Sequence, residues 1–411
     1  MMRRTFICAV LVLALLPAGA GAYTYAEILY GDVMPPYDAR SLALGGAGVA
    51  SADGARGLAM NPALLGKCAR FDVAVTGFVI AAEEARDIPL HDSFDGIIAD
   101  NTYALNTNLY DRYIASVAVN PADVLEADVW MPVIGVGYRP VLDMDYHYHV
   151  QYRDPDSQTE PNDKILYDYY LDQDGGVNAL SVALGGEVVP SVFAGVGVDF
   201  LRGDFDGRAR WVFPPDSEET DAEERLSYDD LSGQRFTFGL LSEQLHRFDL
   251  AVVYRTGFTL EGDFEYSWAW EDSLDDSGSL ELEYPDVWTF GVQYHPRNGV
   301  LTTVSFDLEY ARWSGFEDST RDTDFDDTIT YRVGVEHAFY DDTQARFGFS
   351  YQPSYIDEST TRAAFSAGLG LKVLGVPVDI GGQVGLREYD HGEGRVRETT
   401  TMVMATVVHS F

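Results

Sequence analysis

The sequence predicts an all-β fold: a transmembrane antiparallel β-barrel. Three observations carry the prediction. Beyond residues 1–22 no apolar run reaches helix-spanning length; a membrane protein without such runs can only be a closed barrel, which satisfies every backbone group in lipid, the alternative being a soluble secreted or periplasmic protein. The chain instead alternates apolar and polar residues over segments longer than the five or six residues usual in globular strands. Tight turns and wide acidic loops follow one another along it, as on the two rims of an up-and-down barrel.

Residues 1–22 read as a signal peptide. Arg3 and Arg4 supply a positive start, Phe6 to Leu16 an apolar run, and Ala20-Gly21-Ala22 a small-x-small cleavage site. The run is too short to span a membrane as a helix. Export with a barrel implies a bacterial outer membrane. The exported chain keeps one cysteine, Cys68, which excludes an intramolecular disulfide.

Residues 23–70 form a second unit, rich in Gly and Ala and almost free of strand alternation. Its small residues suit closely packed backbone. Asn61-Pro62-Ala63 is a turn or helix-start signal in which the Asn61 side chain holds the turn. The stretch Gly45 to Ala50 lacks the preceding strand and the GK[ST] ending of a nucleotide loop.

From Phe71 the text becomes strands, and residues 71–411 are assigned to the barrel. The expected strands are 71–83, 129–139, 142–153, 175–189, 191–212, 231–244, 247–267, 281–295, 299–316, 328–339, 343–353, 361–374, 377–389 and 396–411. That is about 14, an even number, as bacterial barrels have. Residues 84–128 are expected to be a long loop, with 111–120 an extra strand or part of it. Arg139-Pro140 is expected to be a tight turn. In 301–313, Val304, Phe306, Leu308 and Tyr310 share one face and Ser305, Asp307 and Glu309 the other. At the C-terminus Val407, His409 and Phe411 alternate with the last residue aromatic. This is the pattern of a barrel assembly signal.

Composition narrows the chemistry. The 28 basic and 66 acidic residues give a net charge of −38, which opposes binding of nucleic acid. There is no G-x-S-x-G, no HExxH and no triad pattern, so the reading is not an enzyme. No cofactor and no metal site are expected. His147 and His149 share a strand face without further ligands, and the acidic loops, Asp322 to Asp326 included, read as solvated charge.

Three stretches resemble the FadL/TodX family of outer-membrane transporters for hydrophobic compounds. They are Ala39 to Ala50 with Asp53-Gly54-Ala55 and Asn61-Pro62-Ala63; Tyr284 to Val292 running to Asp307 to Ser314; and Tyr331 to Glu336 with Ala345 to Pro353. The resemblance implies a fourteen-stranded barrel with an N-terminal plug, or hatch, in its lumen, here residues 23–70. It implies passive transport of hydrophobic compounds such as long-chain fatty acids. Release is sideways, through a gap at a kinked third strand, here read as Leu142 to Arg153. Leu42, Leu44, Val49, Leu58, Met60, Leu64 and Leu65 would then line the substrate path or pack the plug. The expected partners are a hydrophobic small molecule or fatty acid, outer-membrane lipids with lipopolysaccharide, and the barrel assembly machinery. Related plugged barrels with a similar Gly-rich start serve protein secretion, which is the alternative reading.

Overall fold

The computed structural model describes residues 24, 30–34, 38–91, 97–153, 165–269, 275–297, 301–339, 343–357, 360–391 and 394–411. The signal peptide assigned to 1–22 lies outside them. One antiparallel sheet closes on itself through 14 wall strands. We number them β1 Phe71–His91, β2 Ile97–Val119, β3 Val133–Asp143 and Tyr146–Arg153, β4 Ile165–Val189, β5 Val192–Val212, β6 Ala222–Leu245, and β7 Phe248–Arg255 and Phe258–Trp268. Then follow β8 Asp276–Tyr284 and Val287–Tyr294, β9 Leu301–Ala311, β10 Thr328–Ala338, β11 Gln344–Pro353, β12 Thr361–Val373, β13 Val376–His391 and β14 Gly394–Ser410. Closure is made by β14 against β1, in register from Arg395 with Asp87 to Ser410 with Asp72. The Phe411 amide then donates to the Phe71 carbonyl at 2.9 Å.

The polarity of the wall is that of a membrane barrel. On β9 the carboxylate face points inward, where Asp307 is 1% exposed, while Phe306 on the other face is 40% exposed. A soluble sandwich would bury the phenylalanine and expose the acid. The outer surface repeats this with Leu180, Val196, Phe238, Phe290, Phe347 and Phe365, the apolar band that lipid requires.

Two strand assignments need correction, and their errors cancel in the count. Residues 84–128 are mostly strand: β1 runs on to His91 and β2 covers 97–119. Acidic and polar residues there suggest a loop because the strands extend past the membrane, where alternation is no longer required. Conversely, 129–139 and 142–153 belong to one strand, β3. Arg139-Pro140 is not a turn. Pro140 sits in β3 at a register shift against β4, between Pro140 and Leu142, and a bulge tolerates the missing donor.

Residues 38–67 lie inside the cylinder as helical turns at Ala39–Ala43, Gly54–Gly57 and Pro62–Lys67. Asp38 caps the first, its carboxylate accepting from Ser41 N at 2.8 Å. Glycines on the inner wall admit this segment. A methyl group at Gly239 would overlap Asn61 Oδ1, and one at Gly348 would overlap the Gly45 backbone. Above it, Tyr30 enters an aromatic cluster with Phe316 (4.6 Å between ring centroids) and Phe325 (5.6 Å), beside the stacked pair Trp313–Tyr355 (3.8 Å). These rings belong to the N-terminal segment and to the long-loop rim.

Candidate functional site

The wall is weakened between β2 and β3. The β2–β3 ladder holds only from Ala115–Tyr138 to Val119–Ile134. Above it β3 turns away and breaks after Asp143. Its inner edge pairs instead with the N-terminal segment, Asp32 with Asp143 and Val33 with Leu142. Contact between the strands resumes through side chains, Asn108 Nδ2 donating to the His147 carbonyl (2.8 Å) and His149 N to Asn106 Oδ1 (3.1 Å). The third strand is therefore kinked, by a Pro140 bulge and a break at Met144-Asp145. The kink lies within 133–153, longer than the 142–153 expected. A recess of about 620 Å³ opens there, lined by Arg112, Tyr113, Tyr138, Pro140, Leu142 and Asn178 among others.

The lumen beside this break holds a cluster of arginines. Arg139, Arg235, Arg255, Arg332 and Arg362 line a cavity of about 100 Å³ with Val33, Met34, Val141, Val287 and Met402. Arg139 (3.0 Å) and Arg235 (2.6 Å) share the Asp199 carboxylate. Arg332 pairs with Glu309 at 2.8 Å, and Arg255 donates to the Met60 carbonyl at 2.8 Å. Guanidiniums thus gather around Asp199 and Glu309, in a chain that is strongly acidic overall. Arg139 Nε is buried with no hydrogen-bond partner. The cavity has room for a few waters or one small anionic group, with apolar walls beside it.

The sequence did not single out these arginines. Arg139, Arg235, Arg255 and Arg332 are buried at inward strand positions, as Arg235 is between the exposed Gln234 and Phe236. Inward parity plus positive charge is the signal that could have found them.

The residues expected to line a path or pack the plug are apart from this cavity. Leu42, Leu44, Val49, Leu58, Met60, Leu64 and Leu65 are all buried. Leu44 packs on Gly334, Val49 on Gly291, and Leu58 and Leu65 on Gly135. Leu58 also borders a narrow cavity of about 20 Å³ between the lumenal segment and β1–β4. Asn61 Oδ1 accepts from Ala63 N (3.0 Å), while its Nδ2 donates to the carbonyls of Val49 (2.9 Å) and Leu240 (3.3 Å). Pro62 and Ala63 open the helical turn that follows. Val407 is buried, the His409 ring stands edge-on to Phe411 at 4.2 Å, and Phe411 is exposed at the short-turn rim.

The lumenal segment is tied to the wall by charge. Asp307 Oδ2 accepts from Gly48 N (2.7 Å) and Val49 N (3.1 Å). Arg40 pairs with Glu336 (2.9 Å), and Arg56 with Asp379 (2.9 Å). Burial disfavours the Arg40 charge, but Glu336 outweighs it and holds the guanidinium above its usual range. Burial and the nearby Asp72 push the Cys68 thiol up to about 12.

No family model and no curated protein matches this chain. Solved structures do. A Pseudomonas aeruginosa FadL homologue is 13% identical, covers 93% of this chain and 100% of its own, and gives a TM-score of 0.67. The Pseudomonas putida toluene transporter TodX is 16% identical, with 92% and 99% covered and a TM-score of 0.61. The Ralstonia pickettii toluene transporter TbuX is 15% identical, with 90% and 98% covered and a TM-score of 0.57. With its closed wall, inverted polarity and broken third strand, this chain has the fold of the FadL and TodX channels, a fourteen-stranded barrel of the bacterial outer membrane.

Proposed function

We propose that the protein carries hydrophobic compounds passively across the outer membrane, and that amphiphiles with a carboxylate, such as long-chain fatty acids, are among them. The observation that carries this reading is the interruption between β2 and β3 beside a lumen that residues 38–67 fill along its axis. A molecule entering from the long-loop rim would leave sideways into the lipid there. The structural neighbours include proteins described as toluene transporters and as a monoaromatic hydrocarbon channel. An apolar cargo fits their company.

The arginine cavity favours an acid head group over a purely hydrocarbon cargo. A carboxylate in it would meet Arg139 and Arg235, which share the single Asp199 carboxylate, and charge-assisted hydrogen bonds are the strong ones. No bond is made or broken along this route, so the reading is a conduit and not a catalyst. A gradient drives it, and neither cofactor nor metal enters. Residues 23–70 act as its plug. The last strand, β14, with Val407 and His409, and the Phe411 that follows it present the terminal aromatic to the assembly machinery, and the outer band meets lipid and lipopolysaccharide.

Binding tests the reading. The purified barrel, in a detergent without an anionic group, is titrated with a fluorescent long-chain carboxylic acid and then with its alcohol. Saturable binding of the acid, with weaker binding of the alcohol, is expected. Absence of saturable binding by either compound contradicts the proposal.

A further inference from the structure

Besides the Asn108–His147 and His149–Asn106 bonds, two further contacts bridge the wall where the β2–β3 ladder is missing. On the outer face the rings of Tyr113 and Tyr138 stack at 5.0 Å. On the inner face the Arg112 guanidinium reaches from β2 to β3, with Nη2 3.0 Å from Asp143 Oδ2 and also bonded to Asp145. The two sides of this ion pair are anchored differently. Asp143 and Asp145 are almost fully buried, and Asp145 also accepts the Gly175 amide of β4. Arg112 sits at the end of a long flexible side chain, 21% exposed, and faces the recess of about 620 Å³.

We propose that Arg112 is the bar of the lateral opening. Its bonds to Asp143 and Asp145 hold β2 against the broken part of β3, and swinging the guanidinium away clears the recess between lumen and lipid. The inference rests on the transport reading and adds to it a named closing element. The geometry assigns the moving part to arginine because the carboxylates are fixed by their own strand and by β4. Removing Arg112 alone would leave two buried carboxylates uncompensated, which is costly. The bar is therefore tested by a replacement that removes all three charges.

Three variants in the full chain make the test, each checked for folding by heat-modifiable migration. R112M/D143N/D145N removes the bar without leaving a buried charge. R112D/D145R reverses it. R112C/D145C allows the two sides to be joined by a short bis-thiosulfonate linker, with Cys68 buried and out of reach. The readouts are uptake of a neutral aromatic probe into proteoliposomes, binding of the same probe in detergent, and amide exchange over residues 109–114. The triple variant is expected to take up probe several-fold faster and to exchange faster at 109–114. The reversed pair is expected to restore wild-type values. The linked pair should bind probe as wild type but carry it no faster than protein-free vesicles, until a thiol reductant releases it. Wild-type uptake in the linked pair, or unchanged uptake and exchange in the folded triple variant, overturns the bar. If wild type carries no probe at all, the transport reading fails. Amide exchange then decides the bar alone, and equal exchange in wild type and the triple variant overturns it.

Discussion

Arg40 and Glu336 meet through two parallel N–H···O bonds, Nε to Oε2 at 2.9 Å and Nη2 to Oε1 at 3.1 Å, across the boundary between the first lumenal helix and β10. Glu336 also accepts from Arg346 Nε (2.6 Å), whose Nη1 reaches Asp379 (2.6 Å), which in turn holds Arg56 (2.9 Å). Two arginines of the lumenal segment and one of the wall thus share two wall carboxylates. Such a fork fixes orientation as well as distance.

Arg40→Met should therefore loosen the lumenal segment without opening the wall. A hydrogen-bonded charge contributes roughly 1.5–3 kcal/mol. The unfolding midpoint in denaturant is expected to fall accordingly. Limited proteolysis should cut within 38–67 while 71–411 stays whole. The exchanged pair R40E/E336R should recover part of the loss, which a double-mutant cycle measures.

Gly239 and Asn61 form a second seat. Gly239→Val places side-chain atoms where Asn61 Oδ1 lies, so the segment must shift or leave. Asn61→Ala removes one accepted and two donated bonds, at a cost of about 1–3 kcal/mol. The valine variant is expected to assemble a heat-modifiable barrel with higher ion conductance in planar bilayers. The alanine variant should conduct only slightly more than wild type.

Binding of an acid head group is tested at Arg139. The pair R139M/D199N removes one charge of each sign, so no lone carboxylate is left buried. Loss of a charge-assisted bond worth roughly 1.5–3 kcal/mol lowers affinity for a long-chain carboxylic acid about 10- to 150-fold. Affinity for the alcohol of the same length should not change. Isothermal titration of both ligands makes the comparison.

Cys68 is buried, with Sγ 3.7 Å from the Ala118 carbonyl. Its thiol is pushed up to about 12 by burial and then by Asp72. The thiolate is the nucleophile, so the folded barrel at pH 8 should resist maleimide labelling for hours. The denatured chain, with an ordinary thiol, should label within minutes. As pH rises past the ordinary thiol range, the unfolded chain loses this proton before the folded one does, so the linkage lowers stability there.

The barrel was legible in the sequence because its constraint is local. Every lipid-facing position must be apolar and the period is two, so β5, β9, β11 and β13 are readable within a few residues. Strand β2 was not, because Asn106, Asn108, Asp111 and Arg112 follow no apolar alternation. Its partners are the extended β1 and the side chains that bridge to β3. Pro140 misled for a related reason: proline reads as a turn until a neighbouring strand is known to be bulged. The arginine cavity could not be read at all. Arg139, Arg235, Arg255, Arg332 and Arg362 come from five strands, and only barrel closure brings them together.

The most direct test of the account is energy-independent uptake of a fluorescent long-chain fatty acid by sealed proteoliposomes that carry the purified protein. The account predicts saturable entry down the concentration gradient, faster than in protein-free vesicles and competed by an unlabelled fatty acid. Entry at the protein-free rate, from a barrel shown to be folded, would contradict it.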